Sequence, residues 1–244
     1  MRVTRVHCAA ALAEGVRITL PAHAGMHLTR VLRLKAGAML AVFDGAGHEH
    51  EATICAAQGD RVEVMVGVTR PAPAPSPLAI TLSQGVSRGE RMDYAVQKAT
   101  ELGVHRIVPL LCERSVVRLD AEQAVRKLEH WRGVAIAAAE QCGRAELPEI
   151  LAPRRLAEHL AAARAEMGLR LVLAPQAATS LRELRPSAAV EILIGPEGGL
   201  ADEEIALASF AGYAGVRLGP RVLRTETAAA AAIAALQTLH GDLG

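Results

Sequence analysis

The chain has 244 residues, 51% of them hydrophobic and 22% charged, with a net charge of +1. That length can bury a core without disulfides or metals, and no window nears the ~18 uninterrupted apolar residues of a membrane helix. The near-neutral balance argues against the broad basic surface of a nonspecific nucleic-acid binder.

The first residues, 2–7, alternate polar and apolar side chains like a strand and lack the apolar core and cleavage site of a signal peptide. Cys8, Cys55, Cys112 and Cys142 form no C-x-x-C pair and no zinc spacing, so reduced thiols in a cytoplasm fit best. Further β-like runs follow at 16–20, 39–43, 51–54 and 61–68, separated by turn signals such as Asp44-Gly45 and Gly59-Asp60. A helix is expected only at 23–34, with Leu28, Val31 and Leu32 on one side. Strands of this kind close most naturally into a small β-barrel. Residues 1–40 hold Arg2, Arg5, Arg17, Arg30, Arg33 and Lys35 against Glu14 alone, a local excess of +5 that leaves −4 for the remainder. This end could grip phosphate; equally, arginine is abundant throughout the chain. His48 and His50 flank Glu49 in what reads as a solvated polar turn rather than a metal site.

Residues 70–77 place proline at every second position, which forbids helix and starves a sheet of donors, so 71–77 reads as a stiff linker between a domain at 1–70 and one at 78–244. Beyond it strands alternate with helices, the signature of a mainly parallel α/β sheet. Strands are expected at 78–83, 106–110, 169–174, 190–194 and 215–218, and helices at 91–102, 122–142, 202–210 and 227–239. Within the second helix, Arg132, Ile136, Glu140 and Arg144 are spaced four apart and should share a stripe.

Two strand ends empty into glycine loops. Ile192-Leu193-Ile194 runs into Gly195-Pro196-Glu197-Gly198-Gly199, with Asp202 placed to start a helix. Such loops lie where open α/β sheets bind ligands, although a plain tight turn would look the same. The loop matches neither the dinucleotide fingerprint nor the phosphate loop ending in Gly-Lys-Ser/Thr. The second end, Leu218-Gly219-Pro220, leads through Arg221 and Arg224 to an alanine-rich helix that Thr225 or Thr227 could cap. Arginines beside a helix N-terminus make sense when they face an anion or a substrate carbonyl.

The segments L-I-G-P-E-G-G (193–199) and L-G-P-R-V-L-R-T-E-T-A (218–228) together resemble the small-subunit (16S) ribosomal RNA uridine-N3 methyltransferases of the trefoil-knotted SPOUT superfamily. Further similar pieces are Arg91-Met92, Gln97 to Val104, Glu113 to Val116, Ala138 to Arg144 and, near the start, His27 to Arg33, so the likeness covers nearly the whole chain. Members often carry lysine where this chain has Arg88. The resemblance implies a PUA-like, RNA-binding barrel joined to a knotted α/β domain. It also implies a homodimer, S-adenosylmethionine (SAM) as cofactor, and small-subunit ribosomal RNA or the assembled 30S subunit as partner, with no membrane association. It assigns the cofactor to Leu173, Ile194, Gly195, Pro196, Glu197, Gly198, Gly199, Leu218, Gly219, Leu223, Thr225 and Thr227. RNA contacts fall to Arg2, Arg30, Arg33, Arg88, Arg91 and Arg144.

Methylation at uridine N3 must remove an imide proton and stabilise charge spread over two carbonyl oxygens. Arg224 stays protonated and so suits the second task. Glu197 is the nearest candidate base, with Glu140 behind it. The alternatives are a knotted methyltransferase acting on a ribose 2′-hydroxyl or on transfer RNA, and a noncatalytic RNA-binding assembly factor.

Overall fold

The computed structural model describes residues 3–162, 168–185 and 188–244. Arg2 therefore lies outside the described residues. Two compact units emerge: Met1–Pro75 with Ile136–Leu147, and Ser76–Ala135 with Pro148–Gly244.

The first unit contains β1 (Arg5–His7), β2 (Arg17–Thr19), α1 (Ala22–Met26), β3 (Met39–Phe43), β4 (Glu49–Gln58) and β5 (Arg61–Arg70). They form a five-stranded sheet in the order β1-β3-β4-β5-β2, antiparallel except for β1 beside β3. No β1–β2 pair closes the ring among the described residues. Alternation places Ala52, Ile54, Val62, Val64 and Val66 in the core with Leu28 and Leu40. The expected helix at 23–34 breaks after one turn into a π-helical segment, His27–Val31. The wider turn leaves Leu28 buried but turns Val31 and Leu32 out to solvent. Thr29 Oγ1 donates to the Gly59 carbonyl at 2.6 Å and ties this segment to the β4–β5 turn.

The structure differs from the sequence reading in two further respects here. Glu49 and His50 are buried in β4 rather than solvated: Arg5 Nε and Nη2 donate to Glu49 Oε2 at 2.9 and 2.7 Å, and Arg70 lies 3.3 Å from Oε1. Residues 136–147, expected to belong wholly to the second domain, complete this unit. Glu140 Oε1 accepts from the His7 amide at 3.0 Å, Arg5 donates to the carbonyls of Ala139 and Arg144, and Ala139 and Ala145 pack on Phe43.

The second unit contains β6 (Ala79–Gly85), α2 (Glu90–Glu101), β7 (Arg106–Leu111), α3 (Ala121–Cys142, whose last turns belong to the first unit), β8 (Glu149–Ile150), β9 (Arg154–Arg155) and α4 (Leu156–Ala161). It continues with β10 (Leu169–Leu173), β11 (Thr179–Ser180), β12 (Ala189–Ile194), α5 (Asp202–Phe210), β13 (Ala214–Arg217) and α6 (Thr225–His240). The strands form a parallel sheet in the order β11-β13-β10-β12-β6-β7-β8, with β9 also pairing β7. The long strands match expectation because buried parallel strands read as continuous apolar runs. The two-residue strands and α4 carry too little periodicity to read.

Period-two alternation sends the two sides of each strand into different cores. Ile80, Leu82, Val190, Ile192 and Ile194 enter a large core with Ala229, Ile233 and Leu236 of α6 and Trp131 of α3. Leu193, Val172 and Val108 enter a smaller one with Leu156, Leu160 and Ala208. α3 ends at Cys142, with Gly143 at φ +97°, so Arg144 leaves the helix. Arg132, Ile136 and Glu140 keep their one-turn spacing within α3, but the stripe lacks Arg144, and Arg132 pairs with Glu129 at 2.7 Å.

Candidate active site at the carboxyl edge of the parallel sheet

Because β10, β12 and β13 run parallel and in register, the loops that follow them leave one edge of the sheet together. Leu173 ends β10, Ile194 ends β12, and Leu218 follows β13. Arg217 Nη1 donates to the Ala177 carbonyl at 2.8 Å and also to that of Ala178, fixing the loop after β10 against β13. Leu173 and Leu218 are partly buried against the large core and leave the rest of their apolar surface at this edge.

Gly195 to Gly199 is a tight turn, with the Gly199 amide donating to the Pro196 carbonyl at 2.8 Å and φ +72° at Gly199. The turn also passes hard against β6. A Cβ on Gly85 would sit 2.4 Å from the Pro196 nitrogen, and one on Gly195 would sit 2.9 Å from backbone atoms of Gly199 and Leu200. At Gly199 and Gly219, by contrast, an added Cβ meets nothing within 4 Å, so their backbone faces open space.

The turn before α6 is locked to this loop by a side chain that sequence reasoning missed. Gln84, 1% exposed on β6, donates through Nε2 to Thr225 Oγ1 at 2.8 Å, and Thr225 donates to the Gly195 carbonyl at 2.7 Å. Gln84 Oε1 is buried and has no partner among the described residues. Thr225 thus bridges two loops rather than capping the helix, and Thr227 is exposed within the first turn. The N-cap residue is Arg224, and no side chain caps α6. Arg224 is exposed and has no side-chain partner among the described residues. Arg224, a cation without a partner among the described residues, therefore opens a helix whose first amides no described side chain caps. Leu223, partly buried, and the exposed Arg221 lie in the same turn.

Glu197 points back toward α2. Its Oε1 accepts from the Arg88 amide and from Arg91 Nη1, both at 2.9 Å. Burial pushes its carboxyl pKa up, but the Arg88 and Glu197 backbone amides and the Arg91 guanidinium outweigh that and hold it below the ordinary carboxylate value. A carboxylate held in its charged form is a weak proton acceptor. Gly198 approaches Arg114, whose Nη1 donates to the Leu200 carbonyl at 3.2 Å.

The sequence-predicted residues therefore divide. Leu173, residues 194–199, Leu218, Gly219 and residues 223–225 gather at one edge, with Arg88 and Arg91 tied to it through Glu197. Glu140, Arg144, Arg30 and Arg33 belong to the other unit. There Glu140 has a structural partner in His7, and Arg30 and Arg33 are exposed, Arg33 at φ +54°.

The family described as "RNA methyltransferase domain" matches residues 74–237, and "RNA methyltransferase PUA domain" matches residues 20–66. Ribosomal RNA small subunit methyltransferase E of Buchnera aphidicola is 32% identical over 99% of this chain and 98% of its own length. The Bacillus subtilis protein of that name is 29% identical over 88% and 89%. Among solved structures, ribosomal RNA small subunit methyltransferase E from Neisseria gonorrhoeae, bound to SAM, superposes with TM-score 0.92 at 38% identity over the whole of both chains. A Legionella pneumophila protein in complex with SAM gives 0.95 at 39%, also over both whole chains. With the larger unit matched by the family and relatives aligned from end to end, this chain belongs to the ribosomal RNA small subunit methyltransferase E family.

Proposed function

We propose that the protein uses SAM to methylate N3 of a uridine in small-subunit ribosomal RNA, within the assembled 30S subunit. The observation that carries this reading is Arg224, without a partner among the described residues, at the start of α6, which Thr225 holds beside the Gly195 loop. The loops fit the cofactor. Leu173, Leu218 and Leu223 offer partly covered apolar side chains beside open backbone at Gly199 and Gly219, which suits an adenine ring with amides at its edge. Bound SAM supplies an activated methyl group on a sulfonium, so this chain's residues need only align the nucleophile, exclude water and manage charge.

Arg224 holds the uracil by a carbonyl oxygen beside N3 and stabilises the negative charge left when N3 gives its proton to solvent water before the methyl group is transferred. Its guanidinium stays protonated and can donate to one carbonyl oxygen beside N3 while leaving the in-plane lone pair of N3 open to the methyl group. Glu197 acts as an anchor: by binding Arg91 and the Arg88 amide it keeps the start of α2 against the loop. The first unit, PUA-like by family, supplies RNA contacts through Arg30 and Arg33. In this reading the protein works in the cytoplasm as a homodimer, with the family's trefoil knot formed by the loops described above. No described helix is long and apolar enough to cross a membrane.

The test is transfer of labelled methyl to unmethylated small subunits, with free ribosomal and transfer RNA in parallel, followed by nucleoside identification. N3-methyluridine from subunits alone is expected. Ribose-methylated nucleosides would move the chemistry to the 2′-hydroxyl, and no incorporation would remove the enzymatic reading. Arg224→Ala should lower kcat about 10²–10³-fold with SAM affinity preserved, and full turnover by that variant would refute the role given to Arg224.

A further inference from the structure

A cationic groove of about 390 Å³ lies on the second unit, lined by Arg118, Leu119, Gln123, Arg126, Lys127 and His130. No carboxylate is among its lining residues. Arg126 is held by Glu122, and His130 Nε2 lies 2.8 Å from Asp93 Oδ2, but neither acid faces the groove. Arg118 and Lys127 are exposed and have no partner among the described residues. Two permanent charges thus stand over one groove without a partner among the described residues.

Two connections lead from the active-site loop to this groove. Arg114, packed on Gly198, is four residues before Arg118 in the same loop. Asp93, which holds His130, is on the first turn of α2, two residues from the Arg91 that binds Glu197. On α3, Arg126 and His130 are one turn apart, about 6 Å along the axis, a rise on the scale of neighbouring phosphates in a single strand.

We infer that this groove binds the sugar-phosphate backbone of the substrate RNA, leading the strand toward Arg224; the inference rests on the RNA-methylating function proposed above. Charge must dominate here because aromatic platforms are scarce. Among the large exposed side chains the aromatics are Tyr94 and Phe210, while Trp131, Phe43 and Tyr213 are buried. Phosphate contacts of this kind position the strand without reading its sequence.

The experiment measures binding of small-subunit ribosomal RNA to the full-length protein, with SAM present, across a salt series. Arg118→Ala and Lys127→Ala remove no internal partner, so fold and SAM affinity should be unchanged. Each should weaken binding severalfold, equally for all RNA sequences, and flatten the slope of log Kd against log salt by about one, the double variant by about two. Arg182→Ala, at an exposed cation outside the groove with no partner among the described residues, serves as control and should change neither. An unchanged slope in the double variant, or an equal loss with Arg182→Ala, overturns the proposal. So does a double variant whose sedimentation shifts to a smaller species, which assigns the groove to a second copy of the chain. If the unaltered protein neither binds nor methylates RNA, the functional reading itself fails. If the double variant methylates with unchanged KM and salt dependence, only the groove does.

Discussion

The two faces of the parallel sheet bury polar groups for different ends. On the face covered by α6, the strand side chains are apolar until Gln84, the last inward residue of β6 before the loop edge, which reaches Thr225 and through it the Gly195 carbonyl. On the other face, Ser83 and Glu191 stand in mid-sheet: Ser83 Oγ donates to Glu191 Oε1 at 2.5 Å, His159 Nε2 lies 2.7 Å from the same oxygen, and the Tyr213 hydroxyl lies 3.3 Å from His159 Nε2. Among its strand side chains, the first face places this polar contact at the loop edge. The second places its own in the interior, where it fixes β6, β12 and α4 to one another. A polar residue in a buried strand thus says little by its type; its register relative to the strand end decides whether it shapes the site or the core.

The largest expected effect breaks the interior cluster. Glu191→Ala strands Ser83 and His159 in a dry environment and should cost about 3–5 kcal/mol of unfolding free energy in a denaturant titration. If it costs no more than a surface change, the cluster is not what fixes that face. The acid limb of stability sharpens the same point. Burial raises the Glu191 pKa, but His159, Ser83 and Tyr213 together leave it below its ordinary value. A carboxyl with a lowered folded-state pKa contributes stability that is present above its unfolded pKa and lost as pH falls through the folded one. Unfolding midpoints should therefore decline below about pH 4.5, and Glu191→Gln should flatten that decline.

At the edge, Gln84→Leu and Thr225→Val each remove one link of a buried relay and should cost about 1–3 kcal/mol, with the loss read in SAM affinity as well as in stability. The double variant should lose less than the sum, because both substitutions break one path. Full additivity would mean that the two residues act separately. The smallest effect concerns thiols. Burial and nearby Glu204 push the Cys112 pKa up to about 12 despite the Ser115 hydrogen bond, whereas Cys142 is exposed. Alkylation of the native protein at neutral pH should modify Cys142 and spare Cys112, as peptide mapping would show.

Much of the edge was legible in the sequence. A continuous apolar strand emptying into Gly195-Pro196-Glu197-Gly198-Gly199 marked a strand end with a tight turn, though not by itself a ligand site, and α5 spans 202–210 as expected. Gln84 was not legible, since a glutamine in Ala79–Gly85 looks like any polar strand residue until Thr225 is seen beneath it. The interior cluster escaped for a related reason. His159 is on a six-residue helix with too few turns to declare a period, and Glu191 interrupts an apolar run without ending it. The π-helical turn at His27–Val31 was hidden because hydrophobic spacing alone does not distinguish it from an α-helical turn.

The assignment of Ile136–Leu147 to the first unit bears on how the protein is made. A chain leaving the ribosome presents Met1–Pro75 long before the segment that supplies the Ala139 and Arg144 carbonyls to Arg5 and the Glu140 carboxylate to the His7 amide. Until residues 76–135 have been translated, Arg5 has Glu49 but not its remaining acceptors. The amino-terminal unit can accordingly begin to fold early but cannot be completed until Leu147 is made, by which time Ser76–Ala135 of the second unit has already been translated.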